Sequence, residues 1–518
     1  NVGRMLEALD WPSSEFAFRQ LEGGISLAFS APIDQLYAAS EINEWAFAAS
    51  AFELGVSEEQ PDFDEALDAL RKSAAEEANV ELMWLVDEAA AHGKTLLWDD
   101  DEVSLGLGKG SRTWPVREIP DVVDWDAFHD VPTGIVTGTN GKTTTVRFAK
   151  HILRSAGHNV GVSSTDWIAV NERIIDRDDW SGPGGARAVL REREVDAAIL
   201  ETARGGLLRR GLGVEKADAA LITNVSEDHL GDFGSRNLDE LLDIKWVVSH
   251  AVRASGKLVL NAEDARLVAK ADDYDGTILW FSLDASNPVV KAHIANGGTA
   301  FVLDGEELCI LDNDGRTPIC TSADIPLALG GAARHNVANA LSAAALTWSM
   351  GGSLDAVARG LSTMLQAENP GRCNLYTLDG VKILIDFAHN PAAMSALFDM
   401  ASAIPATRRV LCFGQAGDRT DELIRELARD AWAIGLERII VSELSKYHRG
   451  REHGDVFRII RDELRERGAA DEQIRHHEEE MESFEDALDW AQAGDLVIML
   501  ALGGARPVQE RLRELGAE

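Results

Sequence analysis

From residue 131 to about 350 the chain repeats one pattern: an apolar run of strand length, a polar or glycine-bearing turn, then a stretch of helical periodicity. "VPTGIVTG" precedes "TVRFAKHILRSAG", "VDAAIL" leads into Glu201, "ADAALITN" into Ser226, and "GKLVLNAED" into an acidic turn. Continuous apolar runs mark strands covered on both faces, and their alternation with helices predicts a parallel sheet. Residues 285 to 330 look like shorter, turn-rich strands, a small β insertion. A second set of alternating units starts near 370 with "VKILIDFA", "RRVLCFGQAG", "RIIVSE" and "DLVIMLA". Residues 1 to about 130 mix amphipathic helices ("SEINEWAFAASAFELG", "FDEALDALRKSAAEEA") with short strands in "GKTLLWDDDEVSLGLGKGSRTW". The expected fold class is α/β in three domains. An α+β domain (1–130) precedes a central P-loop parallel-sheet ATPase domain (131–369) and a smaller Rossmann-like C-terminal α/β domain (370–518).

Ligands of open parallel sheets bind beyond the carboxyl ends of the strands. There the sequence places "TGTNGKTTTVRF", residues 137–148. Glycines let backbone N–H groups approach phosphate oxygens, and a following helix start adds partial positive charge. The stretch departs from the usual P-loop spelling, because Val136 stands where the first glycine is expected. Strand and helix on the correct sides still favour a phosphate cradle of Gly138, Thr139, Asn140, Gly141, Lys142, Thr143 and Thr144. The bland alternative is a glycine turn capping a helix. Lys142 would neutralise the β/γ-phosphates and Thr143 would ligate Mg²⁺.

Glu201 and His229 follow buried strands on that same edge. One carboxylate beside Thr143 suits Mg²⁺, which prefers oxygen ligands. For His229 the residue type alone leaves both a metal role and a hydrogen-bonded structural role open.

With 50 Lys+Arg against 87 Asp+Glu the net charge is −37, which repels nucleic acid and anionic membrane. Cys309, Cys320, Cys373 and Cys412 form no C-x-x-C pair, which fits a reducing cytosol. No apolar run approaches the roughly 20 residues of a membrane helix, and no signal peptide is apparent, so a cytoplasmic location is expected. "RHHEEEMESFEDALDW" is most simply a solvated helix face, with a paired-histidine metal site at His476 and His477 as the alternative.

In order, "GTNGKTT", the glutamate after a buried strand, "SEDHLG", "GGAARHNVANALSAAA", "NPGR", "DFAHNPAA" and "GQAGDR" resemble the Mur ligase superfamily. Within it, "STDWIAVNERIIDRDDWSGPGGARAVL", "VDAAILETARGGLLRRGLG", "TNVSEDHLGDFG" and "YHRGREHGDV" are similar to the Mur half of cyanophycin synthetase. The resemblance covers roughly residues 131 to 518. No stretch is long enough for the ATP-grasp domain of that enzyme, so a stand-alone Mur-type ligase of that branch is expected.

The resemblance implies ATP and two Mg²⁺ ions. Lys142 and Thr143 would hold phosphates and metal, Glu201 would share that metal, and His229 would ligate a second ion. Lys245 matches a lysine that many family members carbamylate, giving a carboxylate-like anion that organises Mg²⁺. Asn336 and Asn339 would contribute to the ATP site, the first of them at the adenine, with a simple N-terminal helix cap as the alternative for either. Arg372 and Asp386 would reach phosphate and ribose from the C-terminal domain as the domains close. The implied reaction forms an amide: a small-molecule or peptide carboxylate becomes an acyl phosphate, then an amino acid's amine displaces phosphate. No base stands out, and Asp228 is a candidate only by position. Arg187, Arg204, Arg209 and Arg210 are candidates for binding an acidic acceptor. Two other functions stay open, an amidotransferase subunit fed by a glutaminase partner and a catalytically inactive ATP-binding regulator. So do a homo-oligomer and a separate partner enzyme.

Overall fold

In the computed structural model, the described residues are 1–11, 15–21, 24–228, 230 and 235–517. The chain divides into two compact units, Asn1–Asp130 and Val131–Glu518.

In the first unit the helices Leu36–Glu53, Phe63–Glu77 and Val80–Ala91 accompany two small antiparallel sheets. Asp62 and Asn79 end the preceding turns by accepting the Glu65 and Leu82 amides, so two of these helices start on side-chain caps. Met5, Ile42 and Leu70 belong to one small core; Leu85, Val103 and Leu105 belong to another, beside the sheet Leu96–Trp98, Glu102–Leu105 and Arg112–Pro115. The hairpin Phe16–Leu21 with Gly24–Phe29 pairs Phe16 with Phe29, Phe18 with Leu27 and Gln20 with Ile25. Opposed residues share a face. Gln20 apart, that face is apolar, and it is exposed: Phe18 is 72% and Ile25 61% accessible.

The second unit carries two sheets. Among the described residues the larger has eleven strands, with Thr133–Thr137 between Ala197–Glu201 and Ala217–Ile222, all parallel. Val252–Asn261, Thr277–Ser282 and Thr299–Asp304 continue it in parallel on one side, and Val160–Ser163 on the other. The five residues of Thr133–Thr137 and of Ala197–Glu201 are all buried, which explains their lack of polar alternation. Residues 285 to 330, expected as a small β insertion of short strands, form the edge of the main sheet. They contribute the helix Pro288–Ala295, and the strands Thr299–Asp304, Glu307–Asp312 and Gly315–Thr321 extend the main sheet. Turn residues such as Gly305 and Gly315 make the segment look autonomous, yet its apolar positions (Phe301, Leu308, Ile310) complete the sheet's own core.

The smaller sheet has the order Asn374–Leu378, Val381–Asp386, Leu496–Leu500, Arg409–Phe413, Arg438–Ser442, Ile474–His477, parallel after its first hairpin. Separate apolar clusters cover its two faces, one around Phe413 and Leu397, the other around Phe484 and Val497. Ile474–His477 is thus a strand, and the helix begins only at Glu480. Strand alternation sends the two histidines to different partners, His476 to Glu443 at 3.0 Å and His477 to Asp486 at 2.9 Å. Each ring is therefore committed to its own carboxylate. Among the described residues no group of three or more His, Cys, Asp or Glu could hold a metal ion.

Candidate active site

The strand Thr133–Thr137 runs straight into the glycine loop, and the helix Lys142–Ser155 leaves it. Gly138 (φ +146°) and Gly141 (φ +85°) lie where side chains are strained, and neither has room for one. A Cβ on Gly138 would stand 1.9 Å from Thr223 Oγ1, and one on Gly141 2.2 Å from Asn339 Oδ1. The loop is pinned from the neighbouring strand end: the Thr139 and Asn140 amides donate to Asn224, and Thr223 Oγ1 donates to the Asn140 carbonyl at 2.6 Å. A rigid loop of this kind presents its amides without reorganising, as an anion cradle requires.

Two lysines converge on it. Lys142 Nζ donates to the Gly138 and Thr139 carbonyls at 3.1 and 3.0 Å, and Lys245 Nζ to Gly138 at 2.8 Å. Lys245 comes from the buried side of the helix Leu238–Trp246. Burial first, then the Lys142 charge, holds its ammonium pKa well below the ordinary lysine value.

Glu201, 1% exposed at its strand end, gathers hydroxyls. It accepts from Thr143 Oγ1 at 3.2 Å and from Thr165 Oγ1 at 2.6 Å. This set of one carboxylate and two hydroxyls is all oxygen, matching what Mg²⁺ selects while leaving room for water and phosphate oxygens. Thr165 was not singled out from the sequence, since a lone threonine in a loop carries no spacing signal. His229 lies outside the described residues, as do residues 231–234.

The facing wall comes from the C-terminal domain. Arg372 stacks on Phe387, 4.3 Å from the ring centroid, and lies 3.9 Å from Asp166. Asp386 accepts the Cys373 and Ala388 amides, both at 2.7 Å, so its oxygens brace the loop around Arg372. Arg147, buried in the helix after the phosphate loop, bonds Asn369 and Pro370 and stacks over Trp167. "NPGR" is thereby anchored to the helix that carries the cradle. Burial lowers the Arg147 pKa to about 10 against the opposing pull of Asp166.

Asn336 and Asn339 are buried in the helix Arg334–Ser349, and neither caps it; the cap position is Ala333, with no side-chain bond. Asn336 Nδ2 donates to the Leu327 carbonyl and Asn339 Nδ2 to Asn336 Oδ1. Asp228 faces Arg419 at 3.4 Å and His389 at 3.6 Å, so its side chain reaches across to the C-terminal wall. Together the two walls enclose a cleft of about 940 Å³. Lys142, Glu201, Lys245, Asn339, Arg372 and Asp386 all line it. Arg204, Arg209 and Arg210 join them, whereas Arg187 does not.

Two family models divide the chain where these walls meet: the Mur ligase middle domain over residues 136–347, and the Mur ligase glutamate ligase domain over residues 371–503. The chain belongs to the Mur ligase family. It is 35% identical over 381 residues to a cyanophycin synthetase of Nostoc sp. strain PCC 7120, an alignment covering 73% of this chain and 42% of the relative. It thus spans less than half the length of that protein. Similarity to the UDP-N-acetylmuramoyl-tripeptide–D-alanyl-D-alanine ligase of Escherichia coli K12 is 28% over 324 residues, 60% of this chain and 64% of the relative. Among solved structures, Escherichia coli FolC in complex with DHPP and ADP superposes with a TM-score of 0.54 at 18% identity, covering 74% of this chain and 89% of that one. That match speaks to the fold of the two Mur ligase domains. No helix among the described residues is long and apolar enough to cross a membrane.

Proposed function

We propose that this Mur ligase family chain is an ATP-dependent carboxylate–amine ligase that releases ADP and phosphate and joins an acidic acceptor to an amino acid. The observation that carries the proposal is the Glu201 carboxylate, held by Thr143 and Thr165 hydroxyls directly beside the phosphate loop. The cyanophycin synthetase likeness supports the ligase assignment and, by analogy, an amino acid as the amine; the acidic acceptor is inferred from the arginines of the cleft.

The amides of Gly141 to Thr144 at the helix start and the Lys142 ammonium would bind the ATP phosphates, on a loop that the Thr139 and Asn140 amides hold in place through Asn224. Thr143, Thr165 and Glu201 would hold Mg²⁺, with His229 and a carbamylated Lys245 at a second ion, as the family likeness implies. Bound Mg²⁺ supplies charge neutralisation for the transferred phosphoryl group. Arg372 would meet phosphate oxygens, and Asn336 would face the base. Arg204, Arg209 and Arg210 would hold the acceptor, since a guanidinium pairs bidentately with a carboxylate. The acceptor carboxylate attacks the γ-phosphorus and becomes an acyl phosphate while ADP leaves. Closure of the two walls keeps water from that reactive species. The amine then displaces phosphate.

The test is phosphate release from Mg-ATP against a panel of carboxylates, each with and without pooled amino acids, with products read by mass spectrometry. Release that needs one acid and one amine, abolished in Lys142→Ala, is the expected outcome. Steady release with no acceptor, or ATP binding with no release under any pairing, would sink the proposal.

A further inference from the structure

Gln415 follows the strand Arg409–Phe413 and lines the cleft on its C-terminal wall. It is 3% exposed, its Nε2 faces only the Met394 sulfur at 3.9 Å, and its Oε1 has no hydrogen-bond partner. The backbone on both sides is fixed, so the amide group stays at this point of the cleft wall and only rotation about its own side-chain bonds is free. A Cβ on Gly414 would stand 2.6 Å from the Ser442 carbonyl oxygen, and one on Gly417 2.0 Å from that of His448. The Gly417 amide also donates to the Tyr447 carbonyl at 2.8 Å, and Arg451 Nε to the Gly417 carbonyl. A buried, rigidly placed amide carbonyl without a donor is costly unless a ligand supplies the N–H.

We propose that Gln415 Oε1 receives an N–H of the amine substrate and positions the nitrogen that attacks the activated carboxylate; this rests on the ligase proposal. The phosphate loop occupies the opposite wall, so a nucleophile held at Gln415 approaches the acyl phosphate from the far side of the nucleotide. In the step itself, the nitrogen lone pair forms the C–N bond. The acyl C–O bond breaks, phosphate leaves with that electron pair, and the one proton that the amine gives up goes to the departing phosphate. An amide carbonyl is too weak a base to take that proton. Gln415 therefore orients the nitrogen and steadies the positive charge it gains, and it is a positioning residue for the attack.

Gln415→Met keeps the length of the side chain and removes the acceptor; Gln415→Glu keeps an acceptor. With the acid and amine found in the panel assay, Gln415→Met should raise KM for the amine about ten-fold or more, with KM for ATP within about two-fold of the parent. Gln415→Glu should stay within a few-fold of the parent for both. An unchanged amine KM in Gln415→Met overturns the proposal, as does a change borne by ATP, which would assign the residue to the nucleotide. Melting curves separate either result from misfolding. If the parent couples no amine, the ligase proposal fails on its own. Calorimetric titration of pooled amino acids into Mg-ADP-loaded parent and Gln415→Met then decides for Gln415, with equal heats counting against it.

Discussion

Asn140, inside the phosphate loop, and Asn390, in the C-terminal domain, exchange hydrogen bonds. Asn140 Nδ2 donates to Asn390 Oδ1 at 3.2 Å, and Asn390 Nδ2 returns one to Asn140 Oδ1 at 2.9 Å. Asn390 Oδ1 also accepts the Ala393 amide at 2.9 Å and so caps the helix Pro391–Ala403. One side chain therefore ties the nucleotide cradle to the first helix of the opposing domain. Asn390→Ala should cost about 1 kcal/mol through the lost cap, read by urea denaturation. Asn390→Ser keeps an N-cap acceptor but cannot reproduce the two-way amide bond. It should restore stability while leaving KM for ATP raised.

Thr165 reaches Glu201 with a shorter bond than Thr143 does, 2.6 against 3.2 Å. Thr165→Val retains shape and removes the hydroxyl. Loss of a hydrogen bond to a charged group of this kind is worth about 1.5–3 kcal/mol. The Mg²⁺ concentration giving half-maximal ATP turnover should rise about ten-fold, and the melting temperature should fall by a few degrees.

Lys245 is buried as a potential cation, which works against folding. Lys245→Met removes that burden and leaves the Gly138 carbonyl a donor in Lys142. Near neutral pH the variant should melt no lower than the parent, yet turn over ATP at least about ten-fold more slowly. A large fall in melting temperature would show that the lysine serves structure first.

Arg147 bonds Asn369, Pro370 and Asp166 from a side chain that is 4% exposed. Arg147→Met leaves those acceptors facing an apolar group, at a cost of about 3 kcal/mol in urea unfolding. Arg147→Lys should recover little, since one ammonium cannot span three partners held by a planar fork.

His453 is exposed and bonded to Glu478 at 2.7 Å, which raises the histidine pKa above 6.5 and lowers the glutamate below 4.5. The histidine's contribution to stability is complete below pH 6.5 and disappears as pH rises through its folded pKa. That of the glutamate is complete above pH 4.5 and disappears as pH falls through its own. Proton NMR of the ring should place the His453 titration above 6.5, returning toward it in Glu478→Gln.

The parallel sheets were legible because buried strands such as Ala197–Glu201 carry an unbroken apolar signal between helical stretches. The edge strands 299–321 were harder, since sheet membership depends on a partner distant in sequence, and periodicity carries no trace of it. The glycine loop and Glu201 were readable from position alone. Lys245 looked ordinary by residue type and stood out only through the family resemblance; its burial against Gly138 came with the fold. Thr165, Asn390 and Gln415 belong to contacts assembled from segments distant in sequence, where residue type gives no warning.

The exposed hairpin face of Phe18 and Ile25 sits on a molecule of net charge −37, and the two properties oppose each other between molecules. At low salt, mutual repulsion reaches beyond the hairpin and keeps these apolar faces apart. At about 0.1 M salt the repulsion decays over roughly 10 Å, and at 1 M over about 3 Å, within the reach of a phenylalanine ring. Ionic strength thus acts as the colloidal dial of this protein, deciding whether its surface behaves as a polyanion or as an adhesive patch.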